Sequence, residues 1–206
     1  MTALPSPDRE AAAAMWADYL AAHPDAATLA PECEAEFYGD SVELADELLA
    51  LVVVGGKRAT ASLVDEFRHA GQALPRIGSH WIACDGRGAP RVVQRSIDLR
   101  IGLIESVDEA FAWDEGEGDR TRADWLAGHR RYFARTLAAR GVVFDEARMP
   151  VLFERFVVVW PRSSRTESHD RVHPAQLHAR KAGKVHLRRM NAMGAAGGQG
   201  PLPRGR

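Results

Sequence analysis

The sequence predicts an α+β domain: a small, mostly antiparallel sheet decorated by helices. Three observations carry that expectation. Apolar residues recur at helical spacing in residues 8–22, 42–53 and 121–140. Runs that alternate or are rich in Val, Ile and Phe read as strands between the second and third of these segments, and again at 151–160. Asp85-Gly86-Arg87-Gly88 is a strong hairpin turn between two of those strands.

In residues 8–22, Ala12, Met15, Trp16, Tyr19 and Leu20 share one face. His23-Pro24 ends this helix, because a residue before proline avoids helical backbone. A loop follows through Pro31 to residues 37–40. Asp40 or Ser41 caps a second helix that carries Leu44, Ala45, Leu48, Leu49 and Val52 on one face, and Gly55-Gly56 supplies a left-handed stop. Residues 59–63 form a short strand. Leu74-Pro75-Arg76-Ile77-Gly78 turns the chain into a strand at 80–84, which the hairpin pairs with 91–98. Residues 99–105 continue as strand after a bulge, 107–113 form a short helix, and 114–119 form an acidic glycine loop. In the helix at 121–140, Trp125, His129, Tyr132, Phe133, Thr136 and Leu137 face the core, and Gly141 stops it. Residues 151–160 supply the last strand.

Composition narrows the function. The longest unbroken apolar run, residues 48–54, is far too short to span a bilayer. The alanine run at 11–14 is flanked by charges, so it belongs to an amphipathic helix rather than a secretory signal. Cys33 and Cys84 lie in unrelated contexts and read as free thiols in a reducing cytoplasm. Ten of the 27 basic residues but only two of the 28 acidic ones lie beyond Pro161, so residues 1–161 carry 17 basic against 26 acidic groups. Residues 162–206 also lack every aromatic residue, and are expected to be a largely disordered basic tail with a short helix around 176–190. That tail is either a polybasic arm that adds phosphate affinity or a tolerated extension. His169 and His173 have metal-like spacing but no third ligand, so neither a metal nor a cofactor is expected.

No phosphate loop, dinucleotide fingerprint, nucleophile elbow or zinc motif is present. Chemistry concentrates in two segments. In residues 55–63 a lysine, Lys57, sits just past a helix end with Thr60 three residues on. Alternation puts Ala59, Ala61 and Leu63 on one face of the strand and Thr60 and Ser62 on the other. Small side chains there leave room for something flat and polar to approach the backbone. The bland reading is a solvated lysine at a helix C-terminus. The second segment is the acidic loop, Asp114, Glu115, Glu117 and Asp119 with Asp108 upstream. It reads as a helix-capping turn, a catalytic carboxylate or a cation site.

Taken together these segments resemble the ASCH domain, a branch of the PUA-like β-barrel proteins. The resemblance runs roughly from Trp16 to Trp160. It rests on Phe37-Tyr38-Gly39-Asp40-Ser41, on residues 56–63, on Leu74-Pro75-Arg76-Ile77-Gly78 and on Asp85-Gly86. It rests also on residues 111–120, on Met149-Pro150 and on Glu154-Arg155-Phe156. Val64-Asp65-Glu66-Phe67 only partly keeps the family pattern, and Gly55 stands where a small polar residue is commoner. The implied organisation is an N-terminal helical segment at 1–36, the ASCH domain at 37–161 and the basic tail at 162–206.

The resemblance implies an open-mouthed barrel whose cleft, lined by the lysine turn and the acidic loop, takes a nucleoside, a nucleotide or RNA. Some members are similar to amidohydrolases that deacetylate N-acetylcytidine. Their working residues map to Lys57, Thr60 and Glu115, with Tyr38, Arg58, Ser62, Trp81, Trp113 and Glu117 as binding residues. In that reading a half-dry Lys57 loses proton affinity and acts as a base on Thr60 or on water, while Tyr38, Trp81 or Trp113 stacks a base. The alternatives are a binding module without turnover and a ribonuclease. The acidic body favours a small ligand over a long phosphate-tracking surface, and nothing in the sequence fixes the oligomeric state.

Overall fold

The structure, a computed structural model, describes residues 2–28 and 33–161. The expectations for the tail, its short helix and the His169/His173 pair lie outside those residues. Among the described residues, five helices surround a curled five-stranded half-barrel sheet. The helices are α1 (Arg9–Ala22), α2 (Val42–Val53), α3 (Val64–Ala70), α4 (Glu109–Glu115) and α5 (Arg122–Ala138). The strands are β1 (Glu34–Glu36), β2 (Ala59–Leu63), β3 (His80–Cys84), β4 (Pro90–Gly102) and β5 (Val151–Trp160), in spatial order β1-β3-β4-β5-β2. All pairings are antiparallel except β1 with β3.

Four of the five helices, all but α3, begin where a short polar side chain accepts from a free N–H. Asp8 accepts from Ala11, Ser41 from Leu44, Asp108 from Phe111 and Thr121 from Asp124. Ser41, not Asp40, caps α2; Asp40 instead binds Arg135 of α5 at 2.8 Å. Three apolar clusters hold the elements together. α4 and α5 bury Phe111, Trp125, Phe133 and Leu137 against Phe153 and Leu63. α2 packs Leu48, Leu49 and Val52 on Tyr38, Val92 and Phe156. α1 lays Trp16 and Tyr19 on Ile82, Cys84 and Val93. Each large apolar side chain so buried is worth roughly 1.5–3 kcal/mol.

The structure departs from the sequence reading in four places. β1, expected as loop, is a three-residue strand of sequence Glu-Ala-Glu that exists through its pairing with β3. α3 was not anticipated; Glu66 Oε2 accepts the Leu63 N–H (3.1 Å) and closes its first turn. The register of β4 shifts at Ser96/Asp98, and the strand ends at Gly102, giving way to a 3-10 turn at Ile104–Ser106 rather than running to residue 105. The short helix lies two residues later than expected, because Asp108 is its cap. Asp114 and Glu115 are therefore its last turn, not part of a solvated loop.

Candidate functional site

Lys57 is delivered to the interior by the end of α2. The Leu51 carbonyl accepts both the Gly56 and Lys57 N–H groups (2.8 and 3.0 Å), and Gly55 takes φ +77°. This wraps the chain back across the helix terminus and leaves Lys57 only 2% exposed. The end of α4 is pressed onto that turn. Asp114 accepts from Arg58 (3.0 Å) and Arg155 (2.9 Å), and its carbonyl accepts the Arg58 N–H at 2.7 Å. Gly116, at φ +74°, lies so close that a Cβ there would meet the Gly56 carbonyl oxygen at 2.2 Å.

The two segments together form a buried charge cluster. Lys57 Nζ donates to Glu115 Oε2 at 2.8 Å and to Glu117 Oε1 at 2.5 Å, and sits 5.6 Å from the centre of the Tyr38 ring. Glu115 is fully buried, whereas the Glu117 side chain is about a third exposed. His129 of α5 approaches from the other side, stacked on Trp125 at 3.8 Å. Its Nδ1 lies 3.1 Å from the Trp125 carbonyl oxygen, which can only accept, so Nδ1 carries the proton and Nε2 is a bare acceptor. That Nε2 stands 3.6 Å from Glu115 Oε1, which has no hydrogen-bond partner. At that separation the contact is too long for a direct hydrogen bond. Two facing acceptors are reconciled by a proton on Glu115.

The electrostatics agree. Burial is the largest influence on Glu115 and, with Glu117 beside it, raises its pKa to about 8 despite the pull of Lys57. Burial acts the same way on Glu117, but Lys57 and His129 outweigh it and hold that carboxyl below its ordinary value. Burial drives His129 down to about 4. Desolvation also opposes the charge on Lys57, yet Glu115 and Glu117 together more than offset it, so its pKa is raised. This corrects the expectation of a neutral lysine base: an amine between two carboxyls is held as an ammonium. At neutral pH the cluster is ammonium Lys57, ionised Glu117, neutral Glu115 and neutral His129.

The cluster opens into a cleft of about 950 Å³ running between the β1 and β2 ends of the half-barrel. Of the residues singled out from the sequence, Tyr38, Lys57, Thr60, Ser62, Trp81, Glu115 and Glu117 line it. Arg58 and Trp113 do not: Arg58 is committed to Asp114, and Trp113 is 44% exposed with the Arg120 guanidinium 5.1 Å from its ring. Asp108 caps α4, and Asp119 lies ahead of α5, where it accepts the Thr121 N–H at 2.8 Å. Among the described residues no group of three or more His, Cys, Asp or Glu side chains is arranged to hold a metal ion.

Among the lining residues that sequence reasoning missed, His129 and Glu154 matter most to the chemistry. His129 read as core, and by burial it is; only its position one turn after Trp125, facing Glu115, makes it chemical. Glu154 entered only as part of a motif. It lies opposite Thr60 on β5, is 5% exposed, accepts from Ser96 Oγ at 2.5 Å and has its pKa raised by burial. The one acid in a strand that is apolar but for the neighbouring Arg155 was the available signal.

The fold is thus an α+β domain whose half-barrel is left open along one side, with a buried ion cluster at the base of the opening. The ASCH domain profile matches residues 34–160, and the chain belongs to the ASCH domain family. Its fold is similar to that of an ASCH domain from Lactobacillus crispatus JV V101, at 26% identity and a TM-score of 0.65 over 72% of this chain and 94% of that one. A protein from Enterococcus faecalis V583 is similar at 28% identity and a TM-score of 0.64, over 80% and 98% of the two chains. No curated protein matches the sequence.

Proposed function

We propose that the cleft binds a nucleoside-type ligand and hydrolyses an amide on its base, N-acetylcytidine being the prototype. The observation that supports this reading is the buried ammonium held between two inequivalent carboxyls, one neutral and one ionised, at a cleft wall that also carries Thr60. Amide hydrolysis needs three things there: a cation for the developing oxyanion, a base for the attacking oxygen and an acid for the departing amine. Lys57 supplies the first. Glu117, ionised and partly open to the cleft, takes the proton of water or of Thr60 Oγ as that oxygen attacks the acyl carbon. Glu115 holds the proton that is passed, through Lys57, to the amine nitrogen as the carbon–nitrogen bond breaks. With water as nucleophile the products are acetate and the free amine. With Thr60, a second water releases the acyl group.

The test is chromatographic: N-acetylcytidine incubated with wild type, Lys57→Ala and Glu117→Gln. Cytidine is expected from the wild type, with turnover lowered about 10²–10³-fold in Lys57→Ala. Equal turnover in Lys57→Ala removes the mechanism. A second reading, a nucleotide- or RNA-binding module without turnover, is favoured by Arg76 and Arg131. Both line the cleft, and neither is in an ion pair among the described residues. Wild type that binds cytidine phosphates but releases no product selects it.

A further inference from the structure

β2 ends the sheet, and the parity of its ladder decides which backbone groups face outward. Phe156 N–H donates to the Arg58 carbonyl, and Val64 N–H donates to the Pro150 carbonyl, both at 3.0 Å. Between these bonds the register runs without a shift from Ala59↔Arg155 to Leu63↔Val151. Bonded pairs alternate along an antiparallel ladder, so Thr60 and Ser62 direct their backbone groups to Glu154 and Leu152. The N–H and C=O groups of Ala59, Ala61 and Leu63 point away from β5, where no strand follows among the described residues.

Two of those three positions are closed. Ala59 is fully buried, and the Leu63 N–H donates to Glu66 Oε2 at 3.1 Å. Ala61 alone is half-buried and lines the cleft, and no described residue pairs with its N–H or its carbonyl. The side chain there is a methyl, which leaves the backbone approachable from the cleft.

We propose that the Ala61 backbone reads the base: its N–H donor and C=O acceptor pair with the planar edge of a pyrimidine, a ring nitrogen beside an exocyclic amine. The inference rests on the nucleoside reading above and specifies how that ligand is recognised. A window one residue wide cannot add a peptide strand, which bonds to alternate residues along an edge. A phosphate is disfavoured as well, because the Ala61 carbonyl beside the N–H repels an anion. One donor next to one acceptor matches a neutral heterocycle. Trp81 and Tyr132, both half-buried in the same cleft, provide aromatic faces for stacking.

The experiment is an NMR titration of the full ¹⁵N-labelled chain with cytidine and, separately, with 3-methylcytidine, whose ring nitrogen is blocked. Cytidine is expected to shift the Ala61 amide proton downfield and slow its exchange about tenfold at saturation, whereas 3-methylcytidine leaves it unmoved. Ala61→Pro removes only an outward N–H, which an edge strand tolerates, and is expected to weaken cytidine binding about three- to tenfold. If the Trp81 and Lys57 resonances respond to cytidine while the Ala61 amide does not, this proposal fails and the nucleoside reading survives. Equal binding of 3-methylcytidine also overturns it. If no cleft resonance responds to either nucleoside, both fall together.

Discussion

Glu115 has Lys57, Glu117 and His129 facing it, and its proton sets how the protein responds to pH. Between its ordinary value of 4.5 and about 8, the folded chain keeps a proton on Glu115 that the unfolded chain has released. The folded state binds more protons there, so stability falls as pH rises through that window. His129 works in the opposite sense. Unfolded it binds a proton below 6.5, but folded only below about 4, so its share of stability is lost as pH drops from 6.5 to 4. The two trends oppose each other between 4.5 and 6.5, and of the two groups only Glu115 acts between 6.5 and about 8. Glu115→Gln should therefore flatten the decline in Tm between about pH 6.5 and 8, a decline worth about 2 kcal/mol in the wild type. Thermal melts across pH check this; an equally steep decline in the variant would place the proton elsewhere. The residue scale is also where the sequence was least informative. Lys57, Thr60, Glu115 and Glu117 were legible as a pair of segments, but the charge on Lys57 was not. Whether a buried amine is neutral depends on what faces it, and a segment 58 residues away supplies both carboxyls.

At the scale of elements, the site depends on the contact between the lysine turn and the end of α4. Gly55 and Gly116 both adopt left-handed backbone, but only Gly116 is crowded: nothing lies within 4 Å of a Cβ built at Gly55. Gly55→Ala should cost only the left-handed penalty of about 1–2 kcal/mol. Gly116→Ala should cost more, because its methyl would force α4 off Gly56 and draw Glu115 and Glu117 away from Lys57. Chemical denaturation of the two variants measures the difference, and equal losses would mean the contact is slack. The same contact explains what could be read in advance. The helix starts and stops carried their own signals in Asp8, Ser41, Thr121 and Gly55. α4 was misplaced because Asp108 competes with an equally helical run beginning at Val107. β1 and α3 left no local signal: three residues without strand propensity and seven without a stripe are held by β3 and by Glu66 respectively.

Across the whole molecule, function follows from leaving a sheet unclosed. β1 and β2 are the two ends of the strand order, the cleft runs between them, and the ion cluster sits at the foot of β2. The mostly antiparallel sheet and the helices around it were readable from periodicity, and the ASCH relationship from motifs in the right order. The vacant edge at Ala61 was only foreshadowed by small residues, because ladder parity is a property of the pairing with β5 rather than of β2 itself. An acidic body whose cleft holds one buried ammonium paired with carboxyls suits a compact neutral ligand, and the position of that ligand decides the matter. Co-crystallisation of the full chain with cytidine is the most direct measurement. The pyrimidine is expected against Trp81, Tyr132 and β2, with its exocyclic nitrogen within hydrogen-bond reach of Lys57 or Glu117. Cytidine bound outside this cleft, or bound with its ribose rather than its base against Lys57, would contradict the assignment.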